Sequence, residues 1–397
     1  LPRIVNQSNL PYWRLSGFYF FYFATLGVLV PYWALYLQWE GFSARQIGEL
    51  TAILLASRII APNIWGWIAD HHGQRMRIVR IASFAAVLSF AAIFIDQSYL
   101  WIATVVLLFS FFWNAALPQF EVTTLQHLGE HSHHYSKIRV WGSVGFIIIV
   151  LLLGWLLEKF NAGLVPFALL FSLVGIWLFS LTVPESASRH LSLNHVPLSQ
   201  LLKQPAVIAF LLICFLAQAS HGPYYTFYTI YLEQYGYSRS LIGQLWALGV
   251  IAEVAIFLLM HRWLPRYGLM LVLMISLLLS VVRWLLIGLF PEQLPLLIIA
   301  QLLHAASFGT YHAVAIAWIH QHFTGRNQGR GQALYSSVSF GAGGAAGSLI
   351  SGYWWESPGP LATFMLAALA SAVAFAIAFF WLNKAESDTN YRSTRRH

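Results

Sequence analysis

Six charged or titratable residues stand inside long apolar stretches of this 397-residue chain: Arg58, Glu121, Arg139, Glu253, Arg283 and His304. Such residues are costly in an apolar setting and by default mark the path of a substrate or an ion. Glu253 is flanked by Trp246, Leu248 and Val250. A carboxyl placed there can take up and release a proton, with Arg283 and His304 as tuning neighbours. Arg58 offers a planar guanidinium fork, which suits the acid group of a substrate. Glu121 and Arg139 lie equally far from residue 130. A helical hairpin turning there brings both side chains to one depth, as a structural ion pair, a ligand site, or both. His221, Tyr224, Tyr225, Tyr228, Trp246 and Trp113 add aromatic surface. Packing accounts for any one of them; together they suit an aromatic or amphipathic ligand.

The elements that must position these residues follow from composition. The chain is 58% hydrophobic and 9% charged, against about 25% charged in soluble domains. A membrane-spanning helix needs about 20 apolar residues. Twelve such stretches begin near Leu15, Ala44, Ile78, Leu100, Ile138, Ala162, Ala206, Arg239, Gly268, Leu294, Gly331 and Leu361. Backbone groups must be satisfied internally in lipid, so each reads as a helix. The runs are too long and do not alternate as barrel strands would. The expected fold is therefore an all-α integral membrane protein of twelve transmembrane helices.

An internal repeat divides them. Tyr36, Gly41, Ser43, Ile47, Gly48, Leu50 and Gly73 recur 195 residues later as Tyr231, Gly236, Ser238, Ile242, Gly243, Leu245 and Gly268. A fixed offset over so long a stretch is the signature of a repeat. Arg58 falls on Glu253 by the same offset, placing opposite charges at equivalent points. The expected organisation is a six-helix bundle over 1–183, a cytoplasmic linker over 184–204, a second bundle over 205–383 and a cytoplasmic tail over 384–397. Binding sites in transporters built from such repeats lie where the repeats face each other. The glycines Gly341, Gly343, Gly344, Gly347 and Gly352 predict close helix packing.

The net charge of +8 needs no nucleic-acid partner. With the N-terminus inside, sixteen of the 22 Lys and Arg residues fall in inside segments. Arg45, Lys159 and Arg239 fall outside, and Arg58, Arg139 and Arg283 fall within helices. That asymmetry puts both termini in the cytoplasm. The histidines His131, His133 and His134 come without the Cys or carboxylate set of a metal site. No nucleotide-binding signature is present. No cofactor and no metal are expected, and neither an enzyme nor a channel with rings of charge fits these single, opposed residues.

The loop Gly66-x-x-x-Asp70-x-x-Gly73-x-Arg75-x-Arg77 resembles the signature loop of the major facilitator superfamily. The resemblance implies a gating role for Gly66, Asp70, Gly73, Arg75 and Arg77, with Asp70 capping a neighbouring helix end. The repeat copy, from His261 to Gly268, lacks the acid. A closer resemblance covers nearly the whole chain. The stretches from Tyr135 to Val144, from Ala219 to Tyr225 and from Trp246 to Glu253 are similar to bacterial 3-phenylpropionate:proton symporters. More distantly, Glu121, Arg139, Glu253, Arg283 and His304 match the spacing of the ligand and proton residues of lactose permease. Phe146 stands where the permease has a sugar-stacking Trp, and Ser307 where it has a proton-releasing Glu. Those departures point away from a galactoside.

The resemblance and the intramembrane charges imply a monomeric secondary transporter: a proton symporter of a small organic acid, aromatic and phenylpropionate-like. A sugar, nucleoside or siderophore on the same fold is the alternative. The substrate-binding residues on this reading are Arg58, Glu121, Arg139, Phe146, His221, Tyr225 and Trp246, and the proton residues are Glu253, Arg283 and His304. The partners are the substrate, protons and membrane lipid.

Overall fold

The computed structural model describes residues 10–185, 201–323 and 327–382. Most of the expected linker and tail lies outside them. The described residues form helices joined by short turns, in the order expected. Helices α1 to α6 are Tyr12–Trp39, Ala44–His72, Arg75–Ala91, Tyr99–Leu128, Tyr135–Lys159 and Val165–Thr182. Helices α7 to α10 are Pro205–Gln234, Arg239–Tyr267, Leu269–Leu289 and Leu294–His322. Helix α11 spans 327–355 and α12 is Pro360–Leu382. Among the described residues, eleven helices are long and apolar enough to cross a membrane. Helix α11 is the twelfth stretch, made more polar by its glycines and by Asn327, Gln328, Arg330 and Gln332.

The repeat is written into the backbone. Helices α2 and α8 are both 29 residues long and start and stop at the same points of the two copies. Ser43 Oγ accepts from Gln46 N–H at 3.4 Å, and its repeat mate Ser238 Oγ accepts from Leu241 N–H at 3.3 Å. A serine oxygen satisfies an N–H that a helix start otherwise leaves without a partner. Before each start and after each end stands a glycine with positive φ: Gly41 at 92°, Gly236 at 82°, Gly73 at 67° and Gly268 at 78°. Side-chain-bearing residues rarely adopt that conformation, which explains why glycine recurs at these positions.

The chain divides into two compact units. The first holds the described residues of Leu1–Glu40 and Ile60–Leu191, and the second those of Gly41–Ile59 and Ser192–His397. Helix α2 is thus shared: its first half groups with the second unit. The reason is a seam of small residues. A Cβ added to Gly48 would lie 2.6 Å from Gly352 Cα and 2.8 Å from Ser348 O. Further along the seam, Leu55 meets Gly344 and Ile59 meets Gly341. Ala44 N–H donates to Glu356 at 3.1 Å, and Tyr353 Oη to Glu49 at 3.0 Å.

In the first unit, α1 packs on α5 and α6, and α3 on α4 and α6. Gly145 lets the backbone of α5 approach that of Phe20, and Gly17 and Gly175 receive the rings of Phe179 and Phe21. In the second unit, α7 packs on α11 and α12, and α9 on α12. Gly222 and Gly347 bring the α7 and α11 backbones into contact. With lipid outside, such small-residue packing holds helices together where water-driven burial cannot. Four helices of this unit depart from regular geometry, α11 and α12 through π-helical stretches at Ser337–Gly343 and Ala378–Leu382. Helix α7 is interrupted at Ser220 and His221. Helix α10 passes through a π-helical turn, Ala305–Thr310. Single π turns inside helices often mark functional sites.

Candidate functional site

The second unit gathers six of the expected residues into one cluster: His221, Trp246, Arg283 and His304, which are buried, and Tyr225 and Glu253, which are half-buried. Its centre is the approach of His304 Nε2 to Glu253 Oε2, 3.5 Å. Glu253 comes from the middle of α8 and His304 from the residue before the π turn of α10. Gly309, one turn further along α10, presses on the same carboxylate: a Cβ there would lie 3.1 Å from Glu253 Cγ.

Arg283 of α9 is wholly buried. Its Nε donates to Ala300 O and its Nη1 to Ser307 Oγ, both at 3.0 Å. The guanidinium carbon lies 4.1 Å from the centroid of Tyr224 and 4.6 Å from that of Trp284. A cation over an aromatic face is held by the ring quadrupole. Tyr224 then links the cluster. Its hydroxyl donates to Gln301 Oε1 at 2.8 Å, its ring packs on Trp246 at 4.3 Å, and it lies 5.8 Å from His304. His221 stacks on Tyr225 at 5.3 Å and meets Trp284 edge to face at 4.8 Å. Its Nδ1 bonds Ala217 O at 2.8 Å, so the break in α7 orients the ring. Trp246 Nε1 donates to Thr229 Oγ1 at 3.1 Å. Arg58, on the part of α2 that belongs to this unit, is half-buried.

The first unit holds the other pair. Glu121 accepts from Tyr135 Oη at 3.3 Å. Arg139 lies 3.6 Å over the ring of Phe23 and 5.8 Å from that of Tyr19. The hairpin brings the two residues within electrostatic reach of each other, yet each takes a different direct partner. Phe146 is buried two turns along α5 from Arg139.

The signature loop closes the end of α2. Arg75 Nη1 donates to Gln119 Oε1, and Arg77 Nη1 to Gln74 Oε1 at 3.2 Å. Gly66 faces the Gln119 amide, and Gly73 supplies the left-handed turn. Asp70 lies in the last turn of α2, and its side chain is outside the described residues. Among the described residues, Glu185 caps α3: both of its oxygens accept from Met76 N–H, at 3.2 and 3.1 Å.

Sequence reasoning passed over four residues that this geometry uses. Gln301 and Gln119 are amides inside apolar helices, a signal that was available. Gly309 and Glu185 act through contacts between elements distant in sequence, which no local pattern announces. Among the described residues, no group of three or more His, Cys, Asp or Glu is arranged to hold a metal ion.

The MFS_1 like family profile matches residues 12–366. The probable 3-phenylpropionic acid transporter of Escherichia coli K12 is 30% identical over 373 residues, covering 91% of this chain and 96% of that protein. The maltose permease of Geobacillus stearothermophilus is 26% identical, covering 85% and 86%. Among solved structures, a variant of the nucleoside transporter NupG superposes with a TM-score of 0.80 at 16% identity, covering 94% of this chain and 99% of that one.

Proposed function

The chain belongs to the MFS_1 like family of major facilitator transporters, and from that premise we propose that it is a proton symporter of a small aromatic carboxylic acid. It is an integral membrane transporter and not an enzyme. The observation that carries the symport reading is the approach of the buried His304 to the half-buried Glu253, one aromatic ring from the sealed Arg283. A carboxyl and an imidazole in contact form a unit that can hold one exchangeable proton, and the cation beside them supplies attraction for an anion. The similarity to a probable 3-phenylpropionic acid transporter supports an aryl acid. The aromatic walls of the same cluster support it too. In this reading Glu253 carries the proton, His304 shares it, and Tyr224, Tyr225 and Trp246 offer ring surface.

Glu121 and Arg139 would form a second polar patch, in the first unit, available to the substrate during the cycle. Arg58, repeat mate of Glu253, would belong to the same path. Asp70 and its loop would gate the side on which α2 ends. The protein would work as a monomer in a bacterial inner membrane with both termini cytoplasmic.

The nucleoside reading draws on one feature, the Tyr224–Gln301 hydrogen bond beside Trp246, since an amide and an indole suit a nucleobase. Proteoliposomes decide between them. An imposed inward proton gradient should drive accumulation of 3-phenylpropionate, and the acid should in turn carry protons inward. Proton movement with uridine or maltose, and none with the acid, would reject the organic-acid assignment.

A further inference from the structure

Arg283 is a cation sealed inside the second unit, with no acid paired to it among the described residues. It has no exposed surface. Its four contacts of note are the Ala300 carbonyl, the Ser307 hydroxyl and the faces of Tyr224 and Trp284. Among the described residues no carboxylate forms an ion pair with it, and its Nη2 has no hydrogen-bond partner. A buried charge left so is strongly unfavourable unless something completes it.

The groups around it share the same deficiency. Gln301 Nε2, Tyr228 Oη, His221 Nε2 and His304 Nδ1 are buried and without hydrogen-bond partners among the described residues. Tyr224 ties them together. Its ring lies against Arg283, 4.9 Å from Tyr228 and 5.8 Å from His304, and its hydroxyl holds Gln301. Native interiors leave few buried polar groups unmatched, so several in one neighbourhood call for an explanation. The guanidinium and the amide NH2 can only donate and the hydroxyl can donate as well, while His221 Nε2 and His304 Nδ1 donate only when their rings are protonated, because the other nitrogen of each ring already faces Ala217 O or Glu253. Donors that lack an acceptor, beside a cation that lacks an anion, define their complement: a group with one negative charge and two acceptor oxygens.

We propose that Arg283 grips the carboxylate of the transported acid, with the Gln301 amide as the second donor and the Tyr224, Trp284 and Trp246 rings as walls for its apolar body. This rests on the organic-acid reading above and moves the anchor from Arg58 to Arg283. Arg58 is half-buried and already has a partner. Arg283 has a donor to spare. Two acceptor oxygens on one carboxyl match a guanidinium edge in a way a sugar hydroxyl does not.

The same elements account for access. The Tyr224 ring and the Ser307 hydroxyl cover the guanidinium. Tyr224 stands just after the break in α7, and Ser307 stands inside the π turn of α10. Both covering groups sit where the helix ladder is already interrupted, so moving them disturbs little regular backbone. The coupling is a matter of charge. One negative charge entering beside His304 and Glu253 makes it favourable for one proton to accompany it.

The test compares 3-phenylpropionate with 3-phenylpropionamide, equal in shape and different in charge, by equilibrium binding to the purified full chain. The wild type should prefer the acid by roughly tenfold or more, the scale of a charge-assisted bidentate contact. Arg283→Lys should bring that ratio close to one, because a point charge replaces the fork. Gln301→Glu places a carboxylate within the chain itself beside the guanidinium. It should raise the melting temperature and abolish binding of the acid. Folded variants at both positions that keep the wild-type ratio would overturn the anchor, as would a ratio lost in Arg58→Lys but kept in Arg283→Lys. Where Arg283→Lys does not fold, Gln301→Glu decides alone: unaltered acid binding rejects the proposal. A wild type that prefers the amide, or binds neither, rejects the organic-acid reading itself.

Discussion

Glu253 and His304 meet at 3.5 Å between two helices, and Gly309 on the next turn of α10 leaves the carboxylate its place. Had residue 309 any side chain, Glu253 or Ile256 would have to shift. The proton site is therefore defined by a contact, a glycine and a π turn acting together. If that contact carries the transported proton, removing the proton-binding capacity and removing the geometry should have different signatures.

Glu253→Gln keeps the shape and the hydrogen bonding and loses the titration. It should abolish accumulation of substrate against a gradient while leaving exchange across equilibrated membranes measurable. His304→Gln should reduce accumulation as well. Counterflow and gradient-driven uptake in the same vesicles separate the two activities. Wild-type accumulation by Glu253→Gln would remove this residue from the proton path.

Gly309→Ala tests the geometry without touching a titratable group. The new Cβ would lie 2.9 Å from Ile256 Cγ2 and 3.1 Å from Glu253 Cγ. Overpacking of this kind costs about 1–3 kcal/mol. The variant should lose roughly tenfold in coupled uptake, since a small misplacement of a reacting group is expensive. Pairing it with Ile256→Val, which opens space on one side, should restore part of the rate. Full activity of Gly309→Ala would show that Glu253 is free to move.

The sequence carried the outline of this arrangement unevenly. The limits of α2 and α8 were legible because glycine and serine recur at turns that demand them, Gly41 with Gly236 and Ser43 with Ser238. The meeting of Glu253, Arg283 and His304 was legible as chemistry, since charges inside apolar helices stand out. Gln301 was not singled out, although it lies three residues before His304 on the same helix, because an uncharged amide does not break an apolar pattern. The expected closeness of Glu121 and Arg139 is present, but the direct contacts of Arg139 are to Phe23 and Tyr19. Local spacing gives depth, not direction around the helix. The grouping of residues 41–59 with the second unit depends on Gly48 meeting Gly352. Two glycines 304 residues apart announce nothing until the chain is folded.

Glu185 offers a test in the first unit. It caps α3 from outside that helix, because Gln74 at the cap position makes no side-chain cap. Arg80 anchors the same segment by donating to Val183 O at 2.7 Å. Glu185→Gln should destabilise the protein by about 0.5–1 kcal/mol, the range for a charged group at a helix N-terminus. Amide exchange at Met76 should quicken before exchange in α4 does. Unchanged protection at Met76 would show that the cap contributes nothing.

The seam between α2 and α11 yields a prediction of sign. Gly48 and Gly344 both face the neighbouring helix, but they face different things. At Gly48 an added methyl meets backbone, Gly352 Cα at 2.6 Å and Ser348 O at 2.8 Å. Backbone cannot turn aside, so Gly48→Ala must separate the helices, at a cost of about 1–3 kcal/mol. At Gly344 the nearest atom is Leu55 Cδ1 at 3.2 Å, the end of a side chain that can change rotamer. Gly344→Ala also removes the glycine's extra freedom from the unfolded chain, a gain of about 0.4–1 kcal/mol where the site tolerates the methyl. Thermal unfolding in lipid nanodiscs should therefore show Gly48→Ala below the wild type and Gly344→Ala at or above it. The Gly48 variant should also lose transport, because the hydrogen bonds from Ala44 to Glu356 and from Tyr353 to Glu49 depend on the same close approach. Equal melting temperatures for the two variants would mean that the helices meet less closely at Gly48 than the structure places them.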